Sequence, residues 1–490
     1  MIKRTLILFA GLLVGIWATA QTKSYSLNDV IQMARSESPA WLSAETRKEN
    51  NYWRYKTYKS NYNPQLILSG MLPSFNKRVT PVTQPDGSIA YREVNNNTVN
   101  MQLGLSQVIA PTGGTVSVYS NLNRFDDFQF GDSTVTQYSG EPISIGLNQP
   151  IFQFNQLKWD KRIAPLEYEE SQKKYFEELE QISVNATWRF FNLLLAQTSL
   201  EIAQKNVESN DTIFKIAQGR YNLGKITEND LLKLELNLVN SKLAVTKALV
   251  EQESASLQLK SFIGLSDTDP VILVIPKEIP DFIVDENVAL VEARKNKSDM
   301  VTFKRQQLEA EEGVTRAKKS SGVNMNLQAV YGLNDLGSDI AQVYQEPGEN
   351  IRVGLQLNVP VLDWGRQKAR IMTAEANKKL VEYQILQDEE TFDQDILTQA
   401  RNFNMLKEQV KSRVISDQIA QRAYDISKQL FLIGKISITD LNQSIEAKDL
   451  AKQNYISSLR DYWAAYYQLR EKTLYDFHHD QLLLRDIQTD

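Results

Sequence analysis

Between residues 361 and 490 the chain has no proline, and between 366 and 490 its only glycine is Gly434. A second proline-free stretch runs from 166 to 269, so all fourteen prolines fall in 39–165 and 270–360. Proline removes a backbone donor and clashes with the preceding turn, and glycine weakens a helix entropically, so such runs are what long helices require. In the later run Phe392, Ile396, Phe403, Leu406, Val410 and Val414 recur at near-heptad spacing, the period of a helix with one apolar seam. The pattern predicts a helix from about Gly365 to about Ile433 and a similar rod from about Asn155 to about Gln218. At about 1.5 Å per residue, a rod of this kind is roughly 100 Å long, and no ordinary globular core is that wide.

Each rod ends in nearly the same words. "RYNLGKITENDLLKLE" occupies 220–235 and "LFLIGKISITDLNQSI" occupies 430–445, 210 residues later. Gly224 and Gly434 read as helix stops, because a left-handed residue after a helix is most often glycine. Thr227 or Ser437 is then placed to cap a new helix, with Asp230 or Asp440 in its first turn, where the helix dipole favours an anion. Each copy is therefore the tip of an antiparallel helical hairpin, preceded by an aromatic residue, Tyr221 or Phe431.

Ahead of each rod the period changes from about 3.6 to 2. "VNMQLGLSQ" puts Met101, Leu103 and Leu105 on one face and Asn100, Gln102 and Ser106 on the other; "TVSVYSNL", "ISIGLN", "VNMNLQA" and "IRVGLQLNV" alternate likewise, and "PQLILSGML" more weakly. Such segments suit strands with one apolar and one polar face, in a soluble sandwich or in a barrel surrounded by lipid. Three features favour the barrel. Phe152, Phe154, Trp159 and Trp364 gather where strand becomes helix, as at a membrane interface; 73–98, 123–141 and 333–350 read as long outward loops; and Pro111-Thr112-Gly113-Gly114 reads as a short inward turn.

Pro150 in "NQPIF" and Pro360 in "NVPVL" are also 210 apart, so the two strand-to-helix junctions keep register with the two tips. "SLNDVIQMARSESPAW" at 26–41 resembles "DENVALVEARKNKSDM" at 285–300. The chain thus reads as two repeats, 21–264 and 285–477. The first carries strands over about 64–150 and a hairpin over about 155–264. The second carries strands over about 323–361 and a hairpin over about 365–475. A linker over 265–284 joins them, and 478–490 is a tail.

At the N-terminus, Lys3 and Arg4 precede an apolar run from Leu6 to Trp17 and then Ala18-Thr19-Ala20, the order of a secretory signal over 1–20 with cleavage before Gln21. The run is short for a membrane anchor, and no later segment approaches eighteen consecutive apolar residues. With no cysteine, disulfides, a thiol-linked lipid anchor and a catalytic thiol are excluded. Lys and Arg number 55 against 60 Asp and Glu, which gives no sign of a nucleic-acid partner. The only histidines, His478 and His479, are adjacent and make a poor chelate, so they read as a solvated tail. The pairs Glu169-Glu170 and Glu389-Glu390 read as solvated helix faces. Neither a catalytic constellation, a metal site nor a cofactor is expected.

The signal, the "QPIF"-to-helix junction and the duplicated tip together resemble the TolC-like outer-membrane efflux channels, over about Tyr25 to Tyr475. The resemblance implies an α+β fold in which an outer-membrane β-barrel continues into a long periplasmic α-helical barrel. It implies a homotrimer whose tips meet a periplasmic adaptor and an inner-membrane pump of the RND or ABC type, exporting small toxic compounds or secreted proteins. It also implies that the tips form a gate ringed by acidic residues, with Asp440 and Asp230 at matching positions. Gln443 stands where an acid is common, and Phe431 lacks the hydroxyl of the common gate tyrosine. Plain helix-start chemistry is the other reading of both aspartates. The family uses four strands per protomer where six are counted here, and the resemblance favours a 99–122 hairpin that extends the wall above the membrane. A periplasmic adaptor built on one hairpin, or a secreted surface-binding β protein with coiled-coil stalks, would explain fewer of these features.

Overall fold

The computed structural model describes residues 24–130, 133–265, 271–276 and 278–484. The signal expected over 1–20 and the "DTDP" portion of the linker lie outside them. A short strand β1 (Ser24–Tyr25) leads into α1 (Leu27–Ser36) and α2 (Pro39–Ser60). Ser26 and Asp29 close a capping box on α1, while Ser38 caps α2 and Pro39 opens it, where its missing N–H costs nothing. Four long strands follow: β2 (Gln65–Thr83), β3 (Ile89–Ile109), β4 (Gly114–Phe130) and β5 (Ser133–Ile151). The first hairpin is α3 (Gln156–Asn222) with α4 (Glu228–Ile263). After β6 (Ile272–Leu273), which pairs in parallel with β1, come α5 (Glu286–Asn296), α6 (Ser298–Ser320), β7 (Asn324–Gly337), α7 (Ile340–Gln345) and β8 (Gly348–Asn358). The second hairpin is α8 (Arg366–Leu432) with α9 (Ile438–Thr473), and β9 (Tyr475–Asp476) pairs with β10 (Gln481–Leu482).

Both long helices have 67 residues and both return helices 36, each pair displaced by the same 210 positions. Pro165 lies inside α3, and the helix runs on past it. The seam foreseen on α8 is buried at Ile396, Phe403, Leu406 and Val410. These residues join Phe190, Phe191, Leu459 and Tyr462 in one core at mid-height of the rods, where α1, α5 and β6 wrap around them. Charge is buried there too. Glu180, 1% exposed, accepts hydrogen bonds from Arg470 Nε at 3.0 Å and Arg35 Nη1 at 2.9 Å, and Arg470 also reaches Asp476 at 2.9 Å.

β2, β3, β4, β5, β7 and β8 form one antiparallel sheet in that order. The register pairs Leu66 with Leu105, Leu105 with Val118, Val118 with Ile145, Ile145 with Tyr331 and Tyr331 with Ile351. Directly paired residues share a face, so an apolar band crosses all six strands. Leu66, Leu105, Ile145, Tyr331 and Ile351 are exposed. On the other face Asn100 bonds to Asn121 at 2.8 Å.

Four readings need correction. The segments 73–98 and 123–141 are mostly strand, because Ser74–Thr83 pairs with Ile89–Thr98 and Asn121–Asp127 pairs with Val135–Glu141. Polar residues on both faces hide such strands from a test for alternation. The 99–122 hairpin sits in the middle of the sheet rather than extending the wall above it. Glu170 is not solvated but buried against Arg305, with Nε to Oε2 at 2.7 Å. Part of the tail folds back, with His479 Nδ1 2.9 Å from Asp476 and His478 stacked on Phe282.

Candidate functional site

At the first tip α3 ends at Asn222, and Gly224 adopts φ +64° with open space around it. The Lys225 N–H donates back to the Arg220 carbonyl at 2.9 Å, closing the helix end. The second tip repeats this with Gly434 at φ +77° and the Lys435 N–H on the Leu430 carbonyl at 2.9 Å. Thr227 Oγ1 accepts from the Asp230 N–H at 3.2 Å, and Ser437 Oγ from the Asp440 N–H at 3.2 Å. Ser437 returns its own N–H to the Asp440 carboxylate at 3.1 Å and its hydroxyl at 2.7 Å. These bonds hold the Asp440 carboxyl below its ordinary range, so it is anionic at neutral pH. Both aspartates thus perform helix-start chemistry, with Asp440 exposed and Asp230 half-buried.

The two tips pack on each other. Ile213, Ala217 and Leu234 of the first hairpin share an apolar cluster with Tyr424, Phe431, Ile438 and Leu441 of the second. Phe431 is therefore a packing residue, whereas its counterpart Tyr221 is exposed. Gln443 is exposed on α9.

One residue at the tips escaped the sequence reading. Arg220 Nη1 donates to the Phe431 carbonyl at 3.2 Å, Nη2 donates to the Leu432 carbonyl, and the guanidinium lies over the Phe431 ring. It supplies donors to the last two carbonyls of α8, of which that of Phe431 also accepts the Gly434 N–H at 3.0 Å. A signal was present: where the first copy has Arg220, the second has Leu430, so the motif differs just before the shared aromatic position.

At the other end of the rods, the register brings the junctions of the strands with α2, α3, α6 and α8 to one edge of the sheet. Gln65 pairs with Ser106, Ile109 with Gly114, Ile151 with Met325 and Asn324 with Asn358. Side chains tie the junctions together. The Tyr62 hydroxyl donates to the Leu157 carbonyl at 2.9 Å, Asn155 Nδ2 to the Ala110 carbonyl at 2.9 Å, and Gln153 Nε2 to the Met325 carbonyl at 3.0 Å. Pro150 closes β5 opposite Asn326, and Pro360 follows the end of β8. Phe152 and Trp364 turn the chain with φ +64° and +55°, and both are exposed.

The family model for outer membrane efflux proteins matches residues 30–265 and 289–473. The chain belongs to the outer membrane efflux protein family. Solved structures share the fold. The CmeC outer membrane channel of Campylobacter jejuni has a TM-score of 0.65 at 16% identity, covering 91% of this chain and 85% of that one. VceC of Vibrio cholerae gives 0.62 at 13% identity, over 91% and 95%. MtrE of Neisseria gonorrhoeae, solved in an open state, gives 0.59 at 12% identity, over 91% and 88%. No curated protein sequence matches the chain. As an outer membrane efflux protein, the chain is an α+β outer-membrane exit duct of a tripartite efflux system, extending into the periplasm and working with an adaptor and an inner-membrane pump. Its family is one of channels and not of enzymes.

Proposed function

We propose that three copies of this chain, the number the resemblance implies, assemble into a single duct. In this reading the sheets join edge to edge in the outer membrane and the hairpins enclose a periplasmic tunnel. The observation that carries the proposal is the sheet, an exposed apolar band whose edge strands β2 and β8 have no neighbour on one side among the described residues of a single chain. Unpaired strand edges are not tolerated in lipid, and six strands are too few to close around a pore. Three copies of six strands give eighteen, a number that leaves an aqueous channel. The rods need covering as well. Leu232, Leu236, Val239, Leu243 and Val250 form an exposed near-heptad seam on α4, and Ile415, Ile419, Ile426 and Ile433 form one along α8 and its end.

The tips are then the periplasmic gate, with Asp440 and Asp230 near its constriction, and they meet the adaptor. Gly224 and Gly434 allow the tight reversal; Tyr221 and Gln443 face outward from each tip. The duct performs no chemistry, and the pump supplies the energy. Planar-bilayer conductance of the purified mature protein, with its mass measured in detergent, tests this reading. Discrete conductance steps from a trimer are expected. A silent monomer would overturn the reading and leave a periplasmic protein with coiled-coil hairpins.

A further inference from the structure

The strand-to-helix edge concentrates positive charge. Across 53–63, 153–162, 315–323 and 362–371 there are twelve Lys and Arg against two Asp, in a chain whose formal net charge is −5. Half of these cations open the two long helices: Lys158, Lys161 and Arg162 on α3, and Arg366, Lys368 and Arg370 on α8. The helix dipole disfavours cations there, and neither first turn carries an acid, whereas α4 and α9 begin at the tips with acids in place. Helix stability therefore does not explain them.

Nor do ion pairs. Lys158, Lys161, Arg366, Lys368 and Arg370 are exposed and have no salt-bridge partner among the described residues. The two acids at this level are already engaged: Asp160 accepts from Gln156 at 2.6 Å, and Asp363 accepts the Gln367 N–H at 2.7 Å. The remaining cations lie at the ends of α2 (Arg54, Lys56, Lys59) and α6 (Arg316, Lys318, Lys319), where Arg316 pairs with Glu312 and Lys318 with Glu375 at 2.8 Å, so most of the unpaired charge rests on the two long helices and α2.

This belt adjoins the apolar band. The last apolar pair, Met325 with Leu357, lies one residue from Asn324 and Asn358, where the sheet ends. Exposed aromatic side chains stand at the same level, Trp53, Phe152 and Trp364, as they do where a membrane protein meets headgroups. We propose that the belt binds the phosphates of anionic phospholipids in the periplasmic leaflet of the outer membrane, fixing the height of the duct. The proposal rests on the reading of the sheet as a membrane-spanning wall.

The test uses the full mature chain in non-ionic detergent, titrated with phosphatidylglycerol or phosphatidylcholine, with bound lipid counted by native mass spectrometry. Each basic group at an anionic surface contributes on the order of fivefold in binding. The wild type is expected to prefer phosphatidylglycerol by at least about tenfold. A variant combining Lys158→Gln, Lys161→Gln, Arg366→Gln, Lys368→Gln and Arg370→Gln should lose that preference. The helix dipole favours this variant's folding, and Lys158→Arg with Lys161→Arg and Lys368→Arg should retain the preference. Lys225→Gln with Lys435→Gln at the tips should also leave it intact. Equal retention of the two lipids by the wild type, or an unchanged preference in the five-site variant, overturns the proposal. So does loss of binding to isolated peptidoglycan by that variant with its lipid preference intact, which would assign the belt to the cell wall. Conductance in a phosphatidylcholine bilayer is read separately: a silent wild type that still prefers phosphatidylglycerol would count against the channel reading alone.

Discussion

Replacing Arg220 with Ala tests whether the two tips are held together within one chain. The guanidinium makes two charge-assisted hydrogen bonds to the end of α8 and lies over the ring of Phe431. Such bonds contribute about 1.5–3 kcal/mol each when sheltered, but this side chain is only half-buried, so the whole tie contributes about 1–2 kcal/mol. If three protomers open together, the loss is roughly 3–6 kcal/mol, which shifts the closed-to-open ratio by about 10²–10⁴-fold. Single-channel recording in planar bilayers reads this directly as open probability at low voltage. The Arg220→Ala channel should have a higher open probability than the wild type, with little change in melting temperature. Arg220→Lys should fall between them, because an ammonium lacks the planar fork that spans two neighbouring carbonyls. Closed dwell times in Arg220→Ala equal to those of the wild type would refute the tie. A fully wild-type Arg220→Lys would refute the fork geometry while leaving the charge.

Four further outcomes follow from the same structure. Asp440→Ala should weaken block by divalent cations measured as current inhibition, and unchanged block would remove Asp440 from the gate; because hydrogen bonds from Ser437 depress this carboxyl, block in the wild type should persist as pH falls through the ordinary carboxylate value of 3.8 and fade only beneath it. Glu180→Ala leaves Arg470 buried with one carboxylate fewer and should cost about 3–5 kcal/mol, seen as a lowered detergent-phase melting temperature by circular dichroism. Asp476 sits in the same network: burial pushes its carboxyl up, but the charge of Arg470 and hydrogen bonds from His479 and Tyr466 hold it below its ordinary value, so its stabilisation is present above that value and lost as pH falls through the depressed one, and Asp476→Asn should flatten that acid limb. Leu236→Asp with Leu243→Asp places charge in the exposed α4 seam and should convert the proposed trimer to monomer by light scattering, whereas an intact trimer would show that this seam is not an interface.

The rods and tips were legible because their signals are local. Absence of proline, a heptad of apolar residues and a Gly-x-x-Thr/Ser-x-x-Asp turn act within a few residues of where they are written. The strands were legible only where lipid imposes alternation, as at Leu66, Leu105 and Ile145. Beyond the band the neighbours Lys77 and Arg78, and Arg92 and Glu93, put charge on both faces and break the alternation, so Ser74–Thr83 against Ile89–Thr98 looked like loop. Pairing there is fixed by strands already aligned below it, which no window of sequence contains. Glu170 was misread for a related reason: its partner Arg305 is 135 positions away on another helix.

The duplicated motif shows how far this locality extends. The two copies agree at positions whose job is internal to a hairpin: Gly224 and Gly434 for the reversal, Thr227 and Ser437 for the cap, Asp230 and Asp440 for the first turn. They diverge where one hairpin touches the other. Arg220 faces the end of α8, and its counterpart Leu430 does no equivalent work; Phe431 enters the shared apolar cluster while Tyr221 stays exposed. Two identical hairpins would present the same side chain from both sides, donor against donor or ring against ring. The tie takes a side-chain donor from one copy and backbone carbonyls from the other, and only the first copy carries that donor. In a chain built by repetition, the mismatched positions are therefore the first places to look for contacts between the copies, and the matched ones for the fold of each.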